Sequence, residues 1–129
     1  MVLAGRIRRM NEPLSEKTPS GQPCQLADLV EITTTVEHQA DANRLATEIV
    51  SQRLAACVQI SGPIFSVYQW KGSIHSGQEF GLKLKVASDG LANAVAFLRA
   101  NHPYELPEII VNQVKASTEY AQWINEQRQ

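Results

Sequence analysis

Cysteine is nearly missing from this chain: Cys24 and Cys57 are its only two. The first lies in a polar stretch beside Pro23, and the second sits inside the apolar run LAACVQI. That spacing makes neither a zinc motif nor a redox pair. Cys57 reads as a small buried hydrophobe, and so sparse a use of thiols suits a reducing, cytoplasmic setting. Long apolar runs are missing as well. No stretch approaches the roughly 18 apolar residues that would suggest a membrane span, and no apolar core of a secretory leader follows the N-terminal arginines. Charge of one sign is not in excess either. Twelve Lys and Arg against thirteen Asp and Glu leave −1, which gives no electrostatic reason to expect nucleic acid.

The usual signatures of catalysis are also wanting. There is no Gly-rich phosphate loop, no HExxH, and no Ser or Cys nucleophile signature. An enzyme would have to rely on Lys85, Glu79, His102 and Glu105 as acid–base groups, with burial pushing Lys85 toward a lower pKa. The default reading of each is a solvated charge or a surface ion pair. The chain is therefore expected not to be an enzyme.

What is present is an ordinary globular composition, 43% hydrophobic and 19% charged in 129 residues, enough for one domain. Residues 1–26 hold three of the six prolines and show no sustained period. They read as a disordered N-terminal extension of net charge +2, counted as Arg6, Arg8, Arg9 and Lys17 against Glu12 and Glu16. Residues 27–129 form the expected domain.

Within it, ADLVEITTTV (27–36) is rich in β-branched residues and reads as a strand. DANRLATEIVSQRL (41–54) carries an apolar stripe at helical spacing, with Asp41 as the expected N-cap. AACVQI (55–60) is a second strand, broken by Gly62-Pro63, and IFSVYQWKG (64–72) is extended again. Alternation puts Phe65, Val67 and Gln69 on one face of that stretch and Ser66, Tyr68 and Trp70 on the other. The turn-prone GSIHSG precedes EFGLKLKVAS (79–88), whose Leu82, Leu84 and Val86 alternate with Lys83 and Lys85. Gly81 suggests a bulge. A second helix over 89–101 with Asp89 as its cap, a strand over 108–116 and a short helix capped by Ser117 complete the chain.

The order strand, helix, strand, strand, helix, strand, plus a C-terminal helix, predicts an α+β, ferredoxin-like split βαβ sandwich (βαββαβ). Both main helices fall on one face of the sheet. No spare helix remains for the other face, so association is expected to cover it, with Tyr68 and Trp70 at or near the subunit contact.

HPYELPEI (102–109) sets a histidine, a tyrosine and two acidic residues between two prolines. One imidazole is not a metal site, because tight binding needs converging donors. The structural reading is a hinge: Pro103 pushes His102 out of helical geometry, and Pro107 starts the last strand. Tyr104 can bury its ring and bond its hydroxyl. Glu105 is expected to line a cleft with His102, near enough to pair with it. His38 and His75 fall in turn-like segments and read as surface residues.

Four pieces in one order, RLAACVQI (53–60), YQWKG (68–72), a strand opened by Glu79 and ending in LKVAS, and HPYELPEI, resemble the CutA family of divalent-cation tolerance proteins. The likeness runs from about residue 28 to 125. It implies a non-enzymatic homotrimer linked to tolerance of copper and other divalent cations. It also implies a likeness to PII-type signalling trimers, which hold small effectors in clefts between subunits. The copper donors proposed for the family, one cysteine and two adjacent histidines, fall on Thr34, Asn101 and His102. His102 alone keeps a donor, so a copper or other divalent-cation site would rest on it. Tyr68, Trp70, Glu79, Lys85, Tyr104 and Glu105 are the interface or cleft candidates.

Overall fold

The computed structural model describes residues 25–128. Apart from Gln25 and Leu26, the expected extension lies outside the described residues. Four strands, β1 (Leu26–Val36), β2 (Cys57–Trp70), β3 (Ser73–Val86) and β4 (Ile110–Ser117), and three helices, α1 (Gln39–Ser51), α2 (Leu91–Asn101) and α3 (Thr118–Glu126), follow in the expected order. The sheet runs β2-β3-β1-β4 and its neighbours pair antiparallel. Strands β1 and β2 are thus separated by β3, which is the split βαβ arrangement of a ferredoxin-like α+β fold.

The core follows from alternation. Val30, Ile32 and Val36 of β1 and Leu82, Leu84 and Val86 of β3 point to one face, where they meet Ala42, Leu45 and Ile49 of α1 and Ala94 and Leu98 of α2. Leu45, Leu84 and Leu98 are fully buried, each worth about 1.5–3 kcal/mol of transfer free energy. The opposite face is not bare. Helix α3 lies over one end of it, with Ile124 packed on Leu29 and Ala87 and flanked by Tyr120, Trp123 and Val114. Ser117, whose hydroxyl accepts from the Tyr120 N–H at 3.3 Å, caps that helix as expected and turns the chain back over the sheet.

Several boundaries differ from the expected ones. Helix α1 starts at Gln39, with His38 in the cap position. Asp41 sits instead in the first turn, where its charge suits the helix N-terminus and pairs with Arg44 at 3.3 Å. A 3-10 turn, Ser88–Gly90, precedes α2 and puts Gly90 at its cap, while Asp89 bonds Arg128 at 3.2 Å. Gly62-Pro63, a cis peptide, does not end the second strand. The register shifts between Ser61 and Ile64, a bulge, and β2 continues to Trp70. The bulge is on β2, with Gly62 and Pro63 opposite Phe80, while Gly81, where a bulge was expected, pairs in register with Ser61. Gly62 is required there: its φ is +133°, and a Cβ would come within 3.0 Å of Phe80. GSIHSG is strand from Ser73 onward. The turn is only Lys71-Gly72, both at positive φ (50° and 83°), as a two-residue type I′ hairpin demands.

Candidate functional site

Strand β1 stops at Val36, opposite Phe80. Beyond that point, among the described residues, 64–70 and 73–79 pair only with each other, so the hairpin projects as a two-stranded arm. Opposed residues of an antiparallel pair share a face. Phe65, Val67 and, through its partner Gln69, Ile74 therefore fall on one side, 75%, 63% and 72% exposed. Ile64, Ser66, Tyr68 and Trp70 fall on the other, joined by Glu79 and His75 through their partners Ile64 and Tyr68. The alternation read in the sequence thus holds along the arm.

The second wall comes from the 102–108 segment. Pro103 stops α2 as expected: His102 leaves the helix with φ −72° and ψ 138° while its N–H still reaches the Leu98 carbonyl. The chain then passes beside the arm, and the strand after Pro107 begins at Ile110. Between segment and arm lies a cleft of about 930 Å³, lined by Thr35, Ser66, Val67, Tyr68, Trp70, Glu79 and residues 103–108.

One hydrogen bond ties the walls together. The Tyr104 hydroxyl donates to the Glu79 carboxylate at 2.6 Å, in the short range of a charge-assisted bond. Burial alone would raise the Glu79 pKa, but hydrogen bonds from Tyr104, Ser66 and Thr35 outweigh it and hold the carboxyl below its ordinary value. Burial and the adjacent Glu79 carboxylate push the Tyr104 phenol well above its usual range. Glu79 is therefore an anion and Tyr104 a donor at neutral pH.

His102 stands behind the cleft and does not line it. Its Nδ1 lies 3.0 Å from the Tyr104 N–H, which can only donate, so the ring proton belongs on Nε2. Nε2 then donates to the Thr34 hydroxyl at 2.9 Å. Burial lowers the His102 pKa, despite the Thr35 backbone and the Glu79 and Asp41 charges, which favour protonation. The expected pairing with Glu105 is not formed; the partners are Thr34 and the Tyr104 backbone. Both ring nitrogens are thus engaged. Thr34 is 1% exposed, and the Asn101 amide bonds back to the Phe97 carbonyl at 2.9 Å. Among the described residues, no three His, Cys, Asp or Glu side chains come together to hold a metal ion.

Of the residues singled out in the sequence, Tyr68, Trp70, Glu79, Tyr104 and Glu105 converge on the cleft. Lys85 does not. It is paired with Glu31 across β1, on the same sheet face but five residues further from the arm than Val36 opposite Phe80. His75 is exposed and stacks on Tyr68 at 5.8 Å, and exposed His38 lies 3.6 Å from Glu37. Thr35, Ser66 and Glu108 were not singled out. Parity already set Ser66 on the face of Tyr68 and Trp70, whereas Thr35 and Glu108 come to the cleft from β1 and from the segment before β4.

The family model described as CutA1 divalent ion tolerance protein matches residues 30–127. A rice chloroplastic CutA 1 protein is 35% identical over 94 residues, 72% of this chain and 53% of its own length. The chain spans about half the length of the plant and animal relatives it matches. A CutA crystal structure from Xylella fastidiosa superposes with a TM-score of 0.76 at 36% identity, covering 80% of this chain and 100% of its own. CutA from Synechococcus elongatus in complex with a Bis-Tris molecule superposes at 0.72 with 34% identity, covering 80% and 99%.

Proposed function

Because the chain belongs to the CutA1 family of divalent ion tolerance proteins, we propose that it acts in cellular tolerance of copper and other divalent cations as a non-enzymatic homotrimer. The observation that supports assembly is the arm, whose Phe65, Val67 and Ile74 side is apolar and open. At the far edge of the sheet β4 offers Ile110 and Val111, 49% and 39% exposed. An arm on one edge and an open strand on the other form a head-to-tail pair of unlike surfaces, the kind that closes into a ring.

Copper in this reading does not rest on His102, whose two nitrogens are already engaged. The function is tested by expressing the chain in a host that lacks its own family member and plating on rising copper(II). Restored growth is the expected result, and no gain over an empty vector overturns the reading.

A second reading is favoured by the cleft: a PII-like trimer that holds a small effector between subunits. Support comes from the volume, which falls within the range of small-molecule sites, and from the Bis-Tris complex of the Synechococcus protein. A neighbouring subunit placed on the arm would wall the cleft further.

A further inference from the structure

We infer that the cleft between the hairpin arm and the 103–108 segment selects a small organic ammonium ion, held over the Tyr68 and Trp70 rings with its charge toward Glu79. This rests on the effector-binding reading and gives it a ligand class. Three observations converge. Among the described residues, every charged side chain that lines the cleft is acidic, Glu79, Glu105 and Glu108, and no Lys, Arg or His lines it. An anion placed there would meet the like charge of these three carboxylates.

The apolar part of the lining includes aromatic rings, whose faces attract cations. Tyr68 and Trp70 stand side by side on the cleft face of the arm. The Trp70 ring already takes such a partner: the Lys71 ammonium lies 5.8 Å from its centroid. That cation–ring contact is made by the chain itself, and a ligand ammonium would take the other ring face or displace the exposed Lys71 side chain.

The third observation separates an organic cation from a bare metal ion. Glu79 accepts from Tyr104 and is flanked by the hydroxyls of Ser66 and Thr35, and the described residues hold no cluster of three metal-ligating side chains. A divalent ion needs several converging oxygens or nitrogens to replace its water. An alkylammonium needs less: one carboxylate, ring faces for its methyl or methylene groups, and hydroxyls for any polar substituent. With Tyr104, Ser66 and Thr35 donating to it, Glu79 keeps about one of its roughly four acceptor sites for an ammonium N–H, and its charge acts on a quaternary head without one.

The test uses the purified full chain, titrated by calorimetry and followed by tryptophan fluorescence in a Trp123→Phe background that leaves Trp70 as the reporter, with choline and putrescine as probes. Two controls accompany them: 3,3-dimethylbutan-1-ol, the uncharged analogue of choline, and citrate, a small anion. The expected result is saturable binding of at least one amine, with the neutral analogue at least about tenfold weaker. Glu79→Gln should weaken the amine by at least about tenfold with circular dichroism unchanged, and Trp70→Leu should weaken choline, measured on protein that sediments as the wild type does. Because Glu79 also bonds Tyr104, the double substitution Glu105→Gln/Glu108→Gln on the other wall gives a second readout, a smaller loss that shrinks further in salt. Equal binding of the neutral analogue, or no effect of Glu79→Gln, overturns the inference. If citrate binds and the amines do not, the ammonium class is wrong while the effector-binding cleft stands. If none of the four perturbs the cleft, both fail.

Discussion

Replacing Tyr104 by Phe removes one oxygen and little volume, so its effect isolates the bond to Glu79. At 2.6 Å that contact is a short hydrogen bond to a carboxylate. Bonds to charged partners contribute about 1.5–3 kcal/mol. Two features place this one at the low end: Glu79 is only partly buried, and Ser66 and Thr35 still donate to it after the phenol is gone. The expected loss is about 1.5 kcal/mol, roughly tenfold in the folding equilibrium. The loss should depend on pH. Glu79 has a folded-state pKa below its ordinary value, so its contribution is present above that ordinary value and disappears as pH falls through the folded one. Urea unfolding of both proteins should therefore differ near neutrality and converge in acid. Protomer concentration must be matched, since association adds to apparent stability. A gap under about 0.3 kcal/mol near neutrality, or one that acid leaves unchanged, refutes the account of the cleft walls as joined through an ionised Glu79.

Leu98→Ala should cost about 3 kcal/mol in the same assay, because a fully buried leucine on the core face of α2 leaves a cavity; a loss below about 1 kcal/mol would mean that the core collapses freely. Phe65→Asp, which puts a charge on the open side of the arm, should shift sedimentation from trimer to monomer without loss of secondary structure. A trimer that survives it removes the arm from the contact. Copper titration should give weak binding that His102→Ala leaves unchanged, with exposed His38 and His75 accounting for it; nanomolar binding abolished by that substitution would mean that the ring turns and finds other ligands. Deleting residues 1–24 should leave melting within about 1 kcal/mol of the full chain, and a large loss would show that the segment packs on the domain.

The sequence by itself determined the fold class, the element order and the core face. Alternation of Leu82, Leu84 and Val86 with lysines needs only the two-residue repeat of a strand, and the stripe Ala42, Leu45, Ile49 needs only the helical repeat. The same local rule divided the arm correctly between Phe65–Val67 and Tyr68–Trp70. Local rules failed where a neighbour in space decides. Gly62-Pro63 reads as a break, yet pairing with β3 carries the strand past it as a bulge. Asp41 and Asp89 look like caps, but the packed helices start elsewhere and leave each carboxylate to an arginine.

The site divides the same way. Residues Tyr104 and Glu79 were legible as polar groups worth noting, but their bond spans 25 positions and exists only because β1 ends early enough to let the 102–108 segment reach the arm. The role of His102 was fixed only in three dimensions: a backbone N–H on one ring nitrogen and a buried threonine on the other leave no lone pair for a metal. Periodicity is a property of neighbours along the chain, and a tautomer or a cleft is a property of neighbours across it.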